Sequence, residues 1–267
     1  MNHRRLLLVF VSLLAPCVAV ACSDSTTPTV ASGDAGPDAS TPEVIPASTE
    51  AVQSGRVITA QQETAIEGAT VTVAGKSVTT AADGKYAIAV PKDSPFRMRV
   101  TAEEHYTLLE QEYSLGGKAT LDRGDTQLLS RTTANLLVAF LKGYDKTKGL
   151  VSVRVAPLAP CASEEGATVT LDPPGAAQLR YVSGSIPREG QAAVKAGESI
   201  SVIFYNVEPG VKVRPVVTHP SCEVVPFPVA VGDVSYTNAE VTPEPGEVLT
   251  FVRTYVGPPK AVDAGTD

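Results

Sequence analysis

The chain has no tryptophan and only three histidines in 267 residues, one of them at position 3 in a leader segment. A catalytic or metal centre built on several histidines is therefore all but excluded. Positive charge is scarce as well: 22 Lys and Arg stand against 29 Asp and Glu, a net −7 that becomes −9 once residues 1 to 21, with Arg4 and Arg5 and no acid, are set aside. Nucleic acid, which demands a basic surface, is not an expected partner. Familiar catalytic signatures are missing too. There is no Gly-x-Ser-x-Gly, since Ser183 and Ser185 sit in Val-Ser-Gly-Ser-Ile, and no His-Glu-x-x-His, phosphate-cradling glycine loop or calcium loop of the EF-hand form. The expectation is a protein that is not an enzyme, with no catalytic residue, no metal and no cofactor.

What is present begins with export. Met1 to Ala21 carries basic Arg4 and Arg5, an apolar run from Leu6 to Leu14, and small residues at Ala19 and Ala21, the three parts of a secretory signal. The run is interrupted at Pro16 and is too short for a stable membrane span. Ala19-Val20-Ala21-Cys22 resembles the lipobox of bacterial lipoproteins, with Ala19 where Leu is usual. The resemblance implies a diacylglycerol and fatty acid (palmitate-type) modification of Cys22, and with Ser23 rather than Asp next in line it favours the outer membrane. Several acyl chains would make that anchorage effectively permanent.

Residues 22–53 are dominated by Ser, Thr, Pro, Ala, Asp and Gly and read as a disordered tether. About 30 residues of such chain would hold a domain several nanometres from a membrane. Residues 257–267 repeat the composition and read as a loose tail.

From Gly55 the pattern becomes short β-branched runs between turn signals, the mark of an all-β sandwich. Val71 and Val73 alternate with threonines, Tyr86, Ile88 and Val90 with Lys85, Ala87 and Ala89, and Phe96, Met98 and Val100 with Arg97 and Arg99. Each alternation sends one set inward. Ala82-Asp83-Gly84-Lys85 predicts a tight hairpin turn.

Gly55-Arg56-Val57, Ile66-Glu67-Gly68-Ala69-Thr70-Val71, Thr80 to Tyr86 and the strand Phe96 to Val100 together resemble the carboxypeptidase regulatory-like, or transthyretin-like, domain. His105-Tyr106 and Lys92-Asp93-Ser94-Pro95 depart from that pattern. A second copy follows: Gly-Ala-Thr-Val-Thr recurs at Gly68–Thr72 and Gly166–Thr170, after Gly-x-Val openings at Gly55 and Gly149. Asn206 to Val211 resembles the turn before the family's final strand. Between the copies, Leu129, Leu136, Leu137, Phe140 and Leu141 share a face at helical spacing, with Asp125 as cap and Gly143 as stop.

The fold class is thus all-β: two tandem Ig-like or transthyretin-like sandwiches, 54–124 and 144–256, joined by one short helix at 125–143. Cys161 and Cys222 remain once Cys17 leaves with the signal and Cys22 is lipidated, and in an exported chain they pair as a disulfide. The rival, a metal or reactive thiol site with His219 and Glu223, is the weaker reading. His105, beside Glu103, Glu104 and Tyr106, reads as a solvated loop rather than an acid/base cluster. Arg123-Gly124-Asp125 spells the integrin-recognition tripeptide, but Asp125 is assigned to the helix cap.

The functional expectation is a surface-tethered, non-catalytic envelope lipoprotein, its partners the membrane through a lipid anchor and an unknown envelope protein or glycan. One alternative is a glycan-binding module, as the resemblance to carbohydrate-binding-like sandwiches implies; Tyr106 and Tyr181 are its candidate contacts, with Tyr113 and Tyr144 also judged exposed. The other is an enzyme without a recognisable motif, which would have to gather His105 or His219 with carboxylates.

Overall fold

The computed structural model describes residues 44–260. The leader, Cys22, most of the tether and residues 261–267 lie outside the described residues. In chain order the strands are β1 (Glu50–Thr59), β2 (Thr70–Val73), β3 (Lys76–Thr79), β4 (Lys85–Pro91), β5 (Met98–Thr101), β6 (Thr107–Glu110), β7 (Tyr113–Ser114) and β8 (Thr120–Leu128). Helix α1 (Arg131–Val138) follows. The second half gives β9 (Gly149–Pro157), β10 (Thr168–Asp172), β11 (Gln178–Ser183), β12 (Ile186–Arg188), β13 (Val202–Val207), β14 (Arg214–Thr218), β15 (Cys222–Val224), β16 (Val229–Val231), β17 (Val234–Tyr236) and β18 (Val248–Pro259).

The inward sets are those the alternation predicts: Val71, Val73, Tyr86, Ile88, Val90, Phe96, Met98 and Val100 are all buried in one core. The two copies also share a topology. In the first, β1 takes β4 antiparallel on one side and β8 parallel on the other, while β2 pairs β5 antiparallel. In the second, β9 takes β13 antiparallel and β18 parallel, while β10 pairs β14 antiparallel. The repeated pentapeptide does the same work twice: Gly68 and Gly166 both turn at positive φ, and Ala69 and Ala167 after them are fully buried.

Strand β18 joins the copies. Its first residues pair β6 in parallel, its length pairs β9 in parallel, and its end meets β15. One ten-stranded sheet results, running β12-β11-β13-β9-β18-β6-β5-β2-β3 with β15 beside β18. The β4-β1-β8 sheet covers one face at the β2-β5-β6 end, enclosing the first core. The β10-β14 pair encloses the second core, with Val151, Val153, Val202, Phe204, Val252 and Val256 of the long sheet. Where the β6–β18 ladder ends, Gln111 continues it: its amide N donates to the Phe251 carbonyl at 3.0 Å, and its Oε1 accepts from Arg253 N at 2.8 Å.

Several local expectations are corrected. Order begins before residue 54, since β1 starts at Glu50 and Gln53 is fully buried, accepting from the Tyr113 hydroxyl at 2.7 Å. Residues 257–259 are not tail; they complete β18, and Gly257 is buried. The Asp83-Gly84 turn closes no hairpin, because β3 pairs β2 and β4 pairs β1, so it carries the chain from one sheet to the other. Gly84 is needed there, for at φ +78° a Cβ would sit 2.5 Å from the Val57 carbonyl oxygen. The hairpin is β2–β3, through Ala74 and Gly75, both at positive φ. The Asn206–Val211 turn leads into β14 rather than a final strand.

The helix is shorter than its leucine spacing implies. Ser130 caps it, accepting from Thr133 N at 3.2 Å. Asp125 lies instead in β8, paired with Arg56 at 3.0 Å. After Val138 the chain tightens, with Phe140 N bonded to the Leu137 carbonyl and Leu141 N to that of Val138. The helical period stops there, so Leu141 turns inward while Leu136 and Phe140 face solvent.

Candidate functional site

Cys161 and Cys222 form the expected disulfide, tying the loop after β9 to β15. His219 lies against it, 4% exposed. Its Nδ1 accepts from Cys222 N at 2.8 Å and from Ser221 N at 3.2 Å, which places the ring proton on Nε2, buried without a partner. Among the described residues, Cys161, His219 and Cys222 are the one group of three His, Cys or acidic residues with ligand atoms close together. With both sulfurs in the disulfide, no thiolate is free to ligate. His105 is not in that group. Its Nδ1 donates to the Glu103 carbonyl at 2.7 Å and its Nε2 accepts from Thr59 Oγ1 at 3.2 Å, so the ring fastens the β5–β6 turn to β1.

The tyrosine expectation is corrected. Tyr106 and Tyr181 are each 5% exposed, and Tyr113 is fully buried. Tyr106 packs with α1 residue Ala134 and donates to Asn135 Oδ1 at 3.4 Å; Tyr181 fills the second core, its hydroxyl oxygen accepting from Val169 N at 3.1 Å. Neither ring offers a face on which a sugar could stack. Tyr144 is half-buried, and burial pushes its hydroxyl up to about 12. The integrin tripeptide is also dismantled, because the Arg123 side chain is only 10% exposed and Asp125 is held by Arg56.

The feature that sequence reasoning missed is a groove of about 510 Å³ on the long sheet, in the gap between the edge of β8 and helix α1. Its floor is laid by three parallel strands in register. Leu108, Leu249 and Leu150 form one row; Glu110, Phe251 and Ser152 form the next; Arg253 and Arg154 form the third. Leu137, Val138 and Leu141 wall the leucine end, and Arg123 and Gln127 of β8 line the opposite side.

The charged end is crowded. Arg123 donates to Glu110 Oε2 at 2.7 Å and stacks on Tyr113, 4.5 Å from the ring centroid. Burial works most strongly against its charge, but the Glu110 carboxylate together with Tyr113 and Tyr236 outweighs that and holds the guanidinium above its ordinary range. Arg253 lies 3.7 Å from Glu110 Oε1 and over the Phe251 ring at 4.5 Å. Its Nη1 and the Nε of Arg123 are buried without a hydrogen-bond partner. Arg154 is exposed and has no ion pair among the described residues.

No family model matches the sequence. No curated protein matches it either. Among solved structures the chain is similar to the Bacillus anthracis TIE protein, at 9% identity and a TM-score of 0.25 over 78% of this chain and 34% of that one. It is similar to a streptococcal ancillary pilin at 9% identity and 0.25, over 78% and 63%. GBS52, the minor pilin of Streptococcus agalactiae, gives 10% and 0.24, over 81% and 100%. The chain therefore spans about a third and under two thirds of the first two. The sandwich assignment rests on the strand pairing described above. Among the described residues no helix is long and apolar enough to cross a membrane.

Proposed function

We propose that this chain is a non-catalytic lipoprotein of the cell envelope, anchored through acylated Cys22 at the outer membrane and displaying its paired sandwiches as a structural or protein-interaction module. The first sandwich is of the carboxypeptidase regulatory-like kind, on the motifs between Gly55 and Val100. The observation that carries the reading is the Cys161–Cys222 disulfide, a bond that persists in oxidising compartments. It agrees with a leader that reads as export and a cysteine at the cleavage position. The shared strand β18 supports a display role, since both cores are fixed to one sheet.

The test is fractionation. Cys22→Ser moves the protein from the membrane pellet to the soluble fraction, and unchanged partitioning would remove the anchor and the placement with it. Crosslinking in intact envelopes, followed by identification of the captured protein, then names the partner.

A further inference from the structure

The groove floor contains an electrostatic arrangement that the protein alone does not resolve. Arg154 and Arg253 are directly opposite one another on neighbouring parallel strands, and both line the groove. Adjacent strands lie about 4.8 Å apart, and like charges placed opposite each other on one face destabilise a sheet. The local carboxylates do not compensate. Glu110 is shared between Arg123 and Arg253, and Asp125, the other acid lining the groove, is engaged by Arg56 through both oxygens at 3.0 and 3.1 Å. In a chain of net charge −7, this groove is locally cationic.

The other end is the reverse. Leu249 and Leu150 lie four residues along the same strands from Arg253 and Arg154, about 13 Å away at the usual strand rise, and Leu108 lies beside Leu249. Leu137 and Leu141 add to that apolar end from the helical segment. A volume of about 510 Å³ falls within the range of small-molecule sites, which combine a mostly apolar lining with a few placed polar groups.

We infer that the groove binds a small amphiphilic carboxylate, its acyl chain over the leucine row and its head between the Arg154 and Arg253 guanidiniums. The bound anion relieves the repulsion between the two arginines. The acyl chain covers apolar surface that is otherwise wetted. The fork geometry of guanidinium suits a carboxylate head. This inference goes beyond the envelope role and is independent of whether the chain is anchored.

The test is calorimetric titration of the chain carrying Cys22→Ser, so that no acyl group of its own competes. Octanoate binds, octanol of the same chain length binds at least about tenfold more weakly, and acetate gives no heat of binding. Arg154→Gln changes an exposed side chain and removes the repulsion from Arg253, so the fold is retained and its melting temperature does not fall, yet octanoate affinity falls at least about fivefold. Raising salt from about 0.05 to 0.5 M weakens octanoate and leaves octanol unchanged. Equal binding of octanoate and octanol, full affinity in Arg154→Gln, or tighter binding by a short extended peptide with a free C-terminus would each overturn the assignment.

Discussion

Replacing both Cys161 and Cys222 by alanine removes the one disulfide among the described residues, which closes a loop of 61 residues in sequence separation. In the chain-entropy treatment a loop of that length stabilises the fold by roughly 4 kcal/mol, because the unlinked denatured chain regains conformations that the bond denies it. For a chain of this size each kcal/mol corresponds to about 2–4 °C in melting temperature, so the double variant melts about 10 °C lower. Both cysteines are buried in the second core, yet the loss is felt throughout. Strand β18 pairs β6 of the first sandwich and β9 of the second, so differential scanning calorimetry shows a single transition before and after the change. A shift below about 2 °C would refute the entropy argument at this site. Two separated transitions, with only one displaced, would refute the coupling of the cores through the shared strand.

Two other perturbations address the buried polar groups. Glu110→Gln leaves the Arg123 guanidinium, 10% exposed, without its carboxylate; urea denaturation gives a loss of about 3–5 kcal/mol, and a loss below about 0.5 kcal/mol would mean that the pair is not formed. Burial raises the hydroxyls of Tyr86, Tyr113 and Tyr255 above the ordinary tyrosine range. A raised folded value means that the unfolded chain gives up these protons first, so their contribution is complete below about pH 10 and is lost as pH climbs above it. Tyrosinate absorbance from these three therefore rises together with the loss of β-sheet circular dichroism, and ionisation well before unfolding would contradict the burial.

Local pattern carried much of the fold. The valine, tyrosine and isoleucine alternations named the core-facing residues, since a strand has only two faces and the apolar one must be covered. The repeated Gly-Ala-Thr-Val-Thr marked the second sandwich because the same turn and the same buried alanine recur. Pairing between distant strands leaves no such trace. Nothing in the run from Val248 to Pro259 says that it inserts between β6 and β9, or that residues 229–236 return to the first core. Asp125 and the leucines after it satisfy the rules for a capped helix. Pairing of β8 with β1 claimed Asp125 first, and the helix began only at Arg131.

The groove was illegible for the same reason. Arg154 and Arg253 face one another only through parallel register across strands far apart in sequence. Tyr106 and Tyr181 were misjudged because composition cannot say which aromatic residues are spent on interior packing. The disulfide was readable by elimination, since reading the N-terminus as a leader with a lipobox sets aside two of the four cysteines.

The position of β18 also governs the order in which the molecule can be finished. A chain that emerges from its N-terminus presents β6 and β9 long before β18 arrives, and until then each has an open edge that invites pairing with other chains. Neither half can close early, so maturation is a single late event triggered by the arrival of one segment. A product cut short before Val248 keeps both edges bare and is left prone to edge-to-edge association by its own incompleteness.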